Sequence, residues 1–328
     1  MVSTSVFHSE RLRNASPTAP PRHWNAQIVT RPWMVDLSLL FVAIVWGTSY
    51  LATKTVIAAV PVFVFLFIRF GFTALLLLPF VWSTLRKASP KMWRVGGVLG
   101  VLLFAIFVAE TLGVTHTSAA DAGFLIALNV VFTPIVEGMV QRRWPGWGLA
   151  GAVLLGLVGT ALLTAMGSTT LSAGNALVVL AALLRAVQVT VSHRLTDGQQ
   201  WDSTALTAVQ FSVVAVLTGG ASFWSLSGSH VLRAANPWVI GSLIAYLAVL
   251  STFVAFYVQL VAIRRTSPSR VALLLGTEPL WAALTAVGLG GETLPLREWA
   301  GGGILVAATF WGRWTESRGR AEPGDGNR

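Results

Sequence analysis

The chain contains no cysteine. Disulfides, thiol nucleophiles and thiolate metal sites are therefore excluded. Charge is also scarce, at 11% of residues. A soluble domain carries about 25%, so most of this surface cannot face water. Several chemical signatures are missing. Without a Gly-x-x-x-x-Gly-Lys-Ser/Thr run there is no ATP motor. No His-Glu-x-x-His is present, and no His/Asp/Glu cluster has metal-ligand spacing. There is no Gly-x-Ser-x-Gly elbow, and Ser227-Gly228-Ser229 falls in a connection without a partner base. The chain reads as a non-enzyme with no cofactor and no metal.

Hydrophobic residues make up 54% of the 328. A membrane crossing needs ~20 apolar residues. Runs of that kind predict helices at about 35–54, 60–82, 94–114, 118–140, 147–166, 174–193, 204–224, 238–262, 270–290 and 298–314. The stretch Trp144 to Leu184 has no Asp, Glu, Lys or Arg and is too long for one crossing. Turn formers at Gly167-Ser168-Thr169-Thr170 and Ser172-Ala173-Gly174-Asn175 divide it in two. Residues 1–32 are polar and proline-bearing and read as a disordered cytoplasmic tail. Residues 315–328 read as a second cytoplasmic tail. The first apolar run begins near Trp33 and continues as a full crossing, so it reads as uncleaved rather than as a signal peptide.

The net charge is +10. No basic face with interleaved aromatics appears, so nucleic acid is not the expected partner. The basic residues sit instead in tails and short connections. With the N-terminus cytoplasmic, 18 Lys and Arg fall on the inner side and 3 on the outer. That bias predicts both termini inside and an even number of crossings. Tryptophan agrees: apart from Trp24, Trp46 and Trp281, it clusters near predicted span ends, as an interfacial belt does.

The two halves match in order. Asp36 and Trp46-Gly47 of the first helix match Asn175 and Arg185-Ala186 of the sixth. Arg69-Phe70 of the second matches Gln210-Phe211 of the seventh. Glu110 and Thr117-Ser118 of the third match Gln259 and Thr266-Ser267 of the eighth. The same register sets Asn129 opposite Glu278 and Arg143 opposite Glu292. Five helices per half is an odd number, so the second half must enter from the opposite side. The fold class is thus all-α integral membrane, with 33–166 and 174–314 as inverted five-helix repeats, an architecture of secondary transporters.

Trp46-Gly47-Thr48-Ser49 with Lys54, Leu66-Phe67-Ile68-Arg69-Phe70, Leu112-Gly113-Val114 before Thr117-Ser118-Ala119, and Asn129-Val130-Val131-Phe132-Thr133-Pro134 form an ordered series. The second half adds Thr277-Glu278-Pro279 and Gly291-Glu292-Thr293-Leu294. Over about residues 35–314 this series resembles the drug/metabolite transporter superfamily, in its EamA-type ten-helix branch. The resemblance implies movement of small metabolites without ATP. The sequence departs from the family at Gln141-Arg142-Arg143, where many relatives carry a Gly-Glu pair, and at Arg185, where an aromatic or apolar residue is usual.

Arg69, Glu110, Glu137, Arg185 and Glu278 lie inside predicted spans. Unpaired, they would cost roughly 12–18 kcal/mol on the insertion scale. They must pair, face a water-filled cavity or change protonation. Arg69 reads equally as a fixed ion-pair partner, and Glu137 as a solvated helix-end residue. The candidate substrate cavity comprises Trp46, Arg69, Glu110, Asn129, Arg185, Gln188, Gln210, Tyr257, Gln259 and Glu278. Arg185 offers a bidentate fork to a substrate carboxylate or phosphate; the alternative is a partner for Glu110 or Glu278. Trp46 and Tyr257 are cavity aromatics or packing. His116 reads as interfacial. Pro134 and Pro279 should bend the fourth and ninth helices one turn out of register. Gly96-x-x-x-Gly100 permits close packing, within one chain or in a homodimer. The functional expectation is an exporter of small polar metabolites in a bacterial cytoplasmic membrane, with possible proton coupling through Glu110 or Glu278. A lipid-carrier flippase or a non-transporting partner subunit is the alternative.

Overall fold

The structure, a computed structural model, describes residues 32–142, 147–164, 172–226, 236–263 and 274–321. The expected N-terminal tail lies outside them, as does Arg143. The described residues are almost entirely helical, with no strand among them. The helices are α1 (Pro32–Ile57), α2 (Val62–Arg86), α3 (Pro90–Thr115), α4 (Ala119–Ile126), α5 (Asn129–Gln141), α6 (Trp147–Thr164), α7 (Ala173–Thr196), α8 (Ser203–Leu226), α9 (Pro237–Tyr246), a π-helical segment (Leu247–Val254), α10 (Ala255–Ile263), α11 (Glu278–Gly288) and α12 (Leu296–Ala321).

Seven stretches among the described residues are long and apolar enough to cross a membrane. They correspond to α1, α2, α3, α4 with α5, α7, α8, and α9 running through the π-helical segment into α10. The helices α6 and α11 fall within two of the other three expected spans, and α12 covers the third and runs beyond it. The outer faces of the helices are apolar: Leu75 of α2, Leu154 of α6, and Val216 and Phe223 of α8 are each more than half exposed. A contiguous apolar exterior of this kind requires lipid. The protein is an all-α, multi-pass membrane protein.

Helix starts are specified locally. A membrane helix leaves amide donors unpaired in its first turn. Ser89, Ser118 and Ser172 accept from Met92, Asp121 and Asn175 amides at the starts of α3, α4 and α7. Pro90 and Pro237 occupy the first turn of α3 and α9, where a missing N–H costs nothing. α12 runs to Ala321, so its last polar turns are helical where a tail was expected from 315.

The packing pattern is preserved when the halves are exchanged. α1 packs on α11, and its counterpart α7 packs on α5. α3 packs on α7, and α10 on α1. α3 packs on α8, and the π-helical segment on α2. α2 with α8 and α6 with α12 are self-matched pairs. Glycines make these contacts close. A Cβ on Gly96 would lie 2.6 Å from Val209 and one on Gly100 2.6 Å from Val213, so the Gly96/Gly100 stripe is used within the chain against α8.

Two helices break at matched positions. α4 gives way to α5 at Ala127–Leu128, immediately before Asn129. A break at Gly276–Thr277 immediately precedes Glu278 and α11. In the repeat register these breaks coincide. The offset expected from Pro134 and Pro279 does not set them. Pro279 sits in the first turn of α11, where it terminates nothing, while α5 runs through Pro134 without stopping. Broken helices at equivalent depth in two repeats are the backbone feature that lines carrier sites.

Candidate functional site

α1 turns Trp46, Ser49, Tyr50 and Thr53 onto one face at helical spacing. α3 opposes it with Phe107, Glu110, Thr111 and Val114. Arg69 enters from α2, Arg185 from α7, Ser251 from the π-helical segment, Phe256 from α10 and Glu278 from the start of α11. Together they enclose a cavity of about 40 Å³, room for a few water molecules.

Two guanidinium groups and two carboxylates meet here, so the formal charge is balanced. Arg185 Nη2 lies 2.6 Å from Glu110 Oε2. This pair joins α7 to α3, one helix from each half. The Arg185 Nε is buried and has no hydrogen-bond partner, so part of its fork stays available to an acceptor. Tyr50 donates its hydroxyl to Glu278 Oε1 at 3.0 Å. The Phe107 ring is close to both guanidinium groups, its centroid 5.3 Å from Arg69 Cζ and 5.8 Å from Arg185 Cζ. Both distances are within cation–π range.

Arg69 is 6% exposed, and its donors go to the π-helical segment. Its Nε donates to Thr252 Oγ1 at 3.0 Å and its Nη2 to Ser251 Oγ at 3.3 Å. A π turn is wider than an α turn and is found disproportionately at functional sites. Here side chains from outside the segment bind its backbone. Trp46 Nε1 donates to the Ser251 carbonyl at 2.9 Å, and Thr73 Oγ1 donates to the Ala248 carbonyl at 3.0 Å. Thr252 donates to the Leu247 carbonyl five residues back at 2.8 Å. Tyr246, just before the segment, donates to the Val45 carbonyl and pairs with the Thr48 hydroxyl.

One residue beyond Thr53, Lys54 Nζ lies 2.7 Å from Glu292 Oε1 in the α11–α12 connection. Glu292 also accepts from the Ala119 amide at 2.9 Å and the Ala120 amide at 3.3 Å. The carboxylate thus caps α4 while holding α1, and it ties the second half to the first. Partial burial pushes its pKa up, but the Lys54 ammonium and the two amides outweigh that and hold it below the ordinary glutamate range.

Of the residues expected in the cavity, Trp46, Arg69, Glu110, Arg185 and Glu278 line it. Gln188 and Gln210 face each other at 3.4 Å, and Gln188 also reaches the Leu99 carbonyl, outside both cavities. Asn129 is half-buried at the α4–α5 break and is not part of the lining. Tyr257 and Gln259 line a second cavity of about 120 Å³ with Leu77, Thr204, Thr207, Phe211, Phe253 and Phe256. Ser49, Tyr50, Thr53, Phe107, Thr111, Ser251 and Phe256 were not foreseen. For Tyr50, Phe107 and Thr111, the helical spacing from Trp46 and Glu110 was an available signal. For Ser251 there was none. His116 is exposed at the end of α3, as an interfacial residue should be.

The profile of the EamA-like transporter family matches this chain twice, over residues 33–165 and 172–312. An Archaeoglobus fulgidus protein described as an uncharacterized transporter is 27% identical over 84% of each chain. The Escherichia coli inner membrane transporter YedA, described as uncharacterized, is 25% identical over 83% of this chain and 88% of its own. A solved crystal structure, 18% identical, superposes with a TM-score of 0.62 over 87% of this chain and 98% of that one, which is a likeness of fold.

Proposed function

Because the chain belongs to the EamA-like transporter family, we propose that it is a secondary transporter of small polar metabolites, such as amino acids and related compounds. The observation that carries this reading is the charge-balanced cavity, in which Arg69, Arg185, Glu110 and Glu278 converge from both halves of the chain. Burying four ionisable groups at membrane depth is costly unless they serve a polar path. A dipolar solute would exchange partners with the Arg185–Glu110 pair rather than meet bare charge. The volume of about 40 Å³ corresponds to a closed form of the site. A metabolite enters when the halves separate on one side, by alternating access. The matched breaks ahead of Asn129 and Glu278 are where such a motion is absorbed.

The basic bias of the connections supports both termini in the cytoplasm. Export is the direction assigned. Glu110 and Glu278 are the carboxylates that couple transport to protons, and transport indifferent to a pH gradient would remove that role. The substrate assignment is tested by thermal shift on purified protein against amino acids, sugars, nucleosides and cationic drugs. A cavity ligand at a hundred times its Kd stabilises by about 2.7 kcal/mol. The expected result is stabilisation by a polar metabolite that vanishes in Arg185→Ala. Stabilisation retained in the variant would remove Arg185 from the site.

A further inference from the structure

Two cavities share one wall. Phe256 is the residue common to the linings of the charged cavity and the larger chamber. Its ring joins a row of three that links the two linings. The Trp46 centroid is 5.5 Å from it, and the Phe211 centroid is also 5.5 Å away, edge to face. Trp46 belongs to the charged cavity and Phe211 to the chamber.

The chambers differ in chemistry. The larger one contains no Arg, Lys, Asp, Glu or His in its lining. Its polar groups are the hydroxyls of Thr204, Thr207 and Tyr257 and the amide of Gln259, set among phenyl rings. At about 120 Å³ it approaches the ~150 Å³ apolar cavity that takes benzene. It lies at the α7–α8 end of the molecule, since Thr204 is in the first turn of α8. Phe256 is held in place by the π-helical segment that ends two residues before it. That segment is bound by Arg69, Thr73 and Trp46. A return of the π turn to α geometry would shift the helical phase of the residues beyond it. Phe256 would then leave the row.

We infer that this chamber is a second binding site on the transport path, for an uncharged aromatic group with a hydrogen-bonding edge, and that Phe256 is the partition between it and the charged cavity. The inference rests on the transporter reading, but its test does not require transport. The native chain has no cysteine, so Thr207→Cys in the chamber and Thr111→Cys in the charged cavity each supply a single thiol. Both are labelled in purified protein with a small methanethiosulfonate, and indole serves as the chamber probe. Saturating indole is expected to slow labelling of Thr207→Cys roughly tenfold and to leave Thr111→Cys unaffected. Adding Phe256→Ala is expected to speed labelling of Thr111→Cys roughly tenfold. Phe256→Val, which also removes the ring but leaves a β-branched stub for packing, gives the same comparison if the alanine variant does not fold. Thr207→Cys labelling that indole does not slow up to its solubility would overturn the binding site. A Thr111→Cys rate unchanged by both Phe256 variants would overturn the partition. Failure of the transporter reading would leave both readouts measurable.

Discussion

The Arg185–Glu110 pair is a bond between halves as well as a candidate ligand site. Removing one partner of a buried pair leaves the other charged and uncompensated, at a cost of about 3–5 kcal/mol, while replacing both with apolar residues is often close to neutral. Glu110→Gln is therefore expected to lower the melting temperature of the purified protein sharply. The double variant Glu110→Leu with Arg185→Met is expected to recover most of that loss. Equal melting temperatures for wild type and Glu110→Gln would mean that the pair carries no stability. At this scale the sequence announced charge well and partners poorly. An Arg or Glu inside an apolar run is conspicuous because it is expensive there. That Arg69 spends its donors on Thr252 and Ser251 was not legible. Hydroxyls are cheap in a membrane helix, and the π turn that presents them has no sequence signature of its own. The sequence likewise does not announce that Gln188 and Gln210 meet each other. Polar residues in a span can satisfy one another, as these two do.

At the scale of elements, close approach depends on glycine where α4 meets α11. A Cβ on Gly123 would lie 2.3 Å from the Ala282 Cβ. One on Gly97 would meet nothing within 4 Å. Gly123→Ala should therefore destabilise, because α11 must move away and Glu278 moves with it. Gly97→Ala should be neutral or stabilising by up to about 1 kcal/mol, through reduced backbone entropy in the unfolded chain. Thermal unfolding of the two variants in the same detergent checks the contrast, and a Gly123→Ala variant as stable as Gly97→Ala would contradict it. Most helices could be read directly, since a run of ~20 apolar residues has few alternatives in a membrane. The breaks at Ala127–Leu128 and Gly276–Thr277 could not. Proline was the visible cue, yet it fell at different phases in the two halves while the breaks did not. The two breaks instead share one place in the repeat register, directly before Asn129 and Glu278.

For the whole molecule, the repeat carries the argument. The exchange-symmetric packing puts α1, α3, α7 and α10 around one cavity, and the Lys54–Glu292 contact ties the halves together beside it. The internal register sets Asn129 opposite Glu278, and each of them directly follows a helix break, although the register alone does not announce a break at either place. It did not foresee that Tyr257 and Gln259 belong to a separate chamber, because register gives depth in the membrane but not the direction a side chain takes around its helix. A carrier whose charged cavity binds the solute it moves must exchange that solute across the membrane. Counterflow in proteoliposomes tests it most directly. Vesicles are loaded with the unlabelled ligand that stabilises the purified protein, and labelled ligand is added outside, without ATP or an ion gradient. Transient accumulation of label inside is expected, with its loss in Arg185→Ala vesicles that contain the same amount of folded protein. Absence of accumulation with the wild-type chain, or accumulation undiminished in Arg185→Ala, would contradict it.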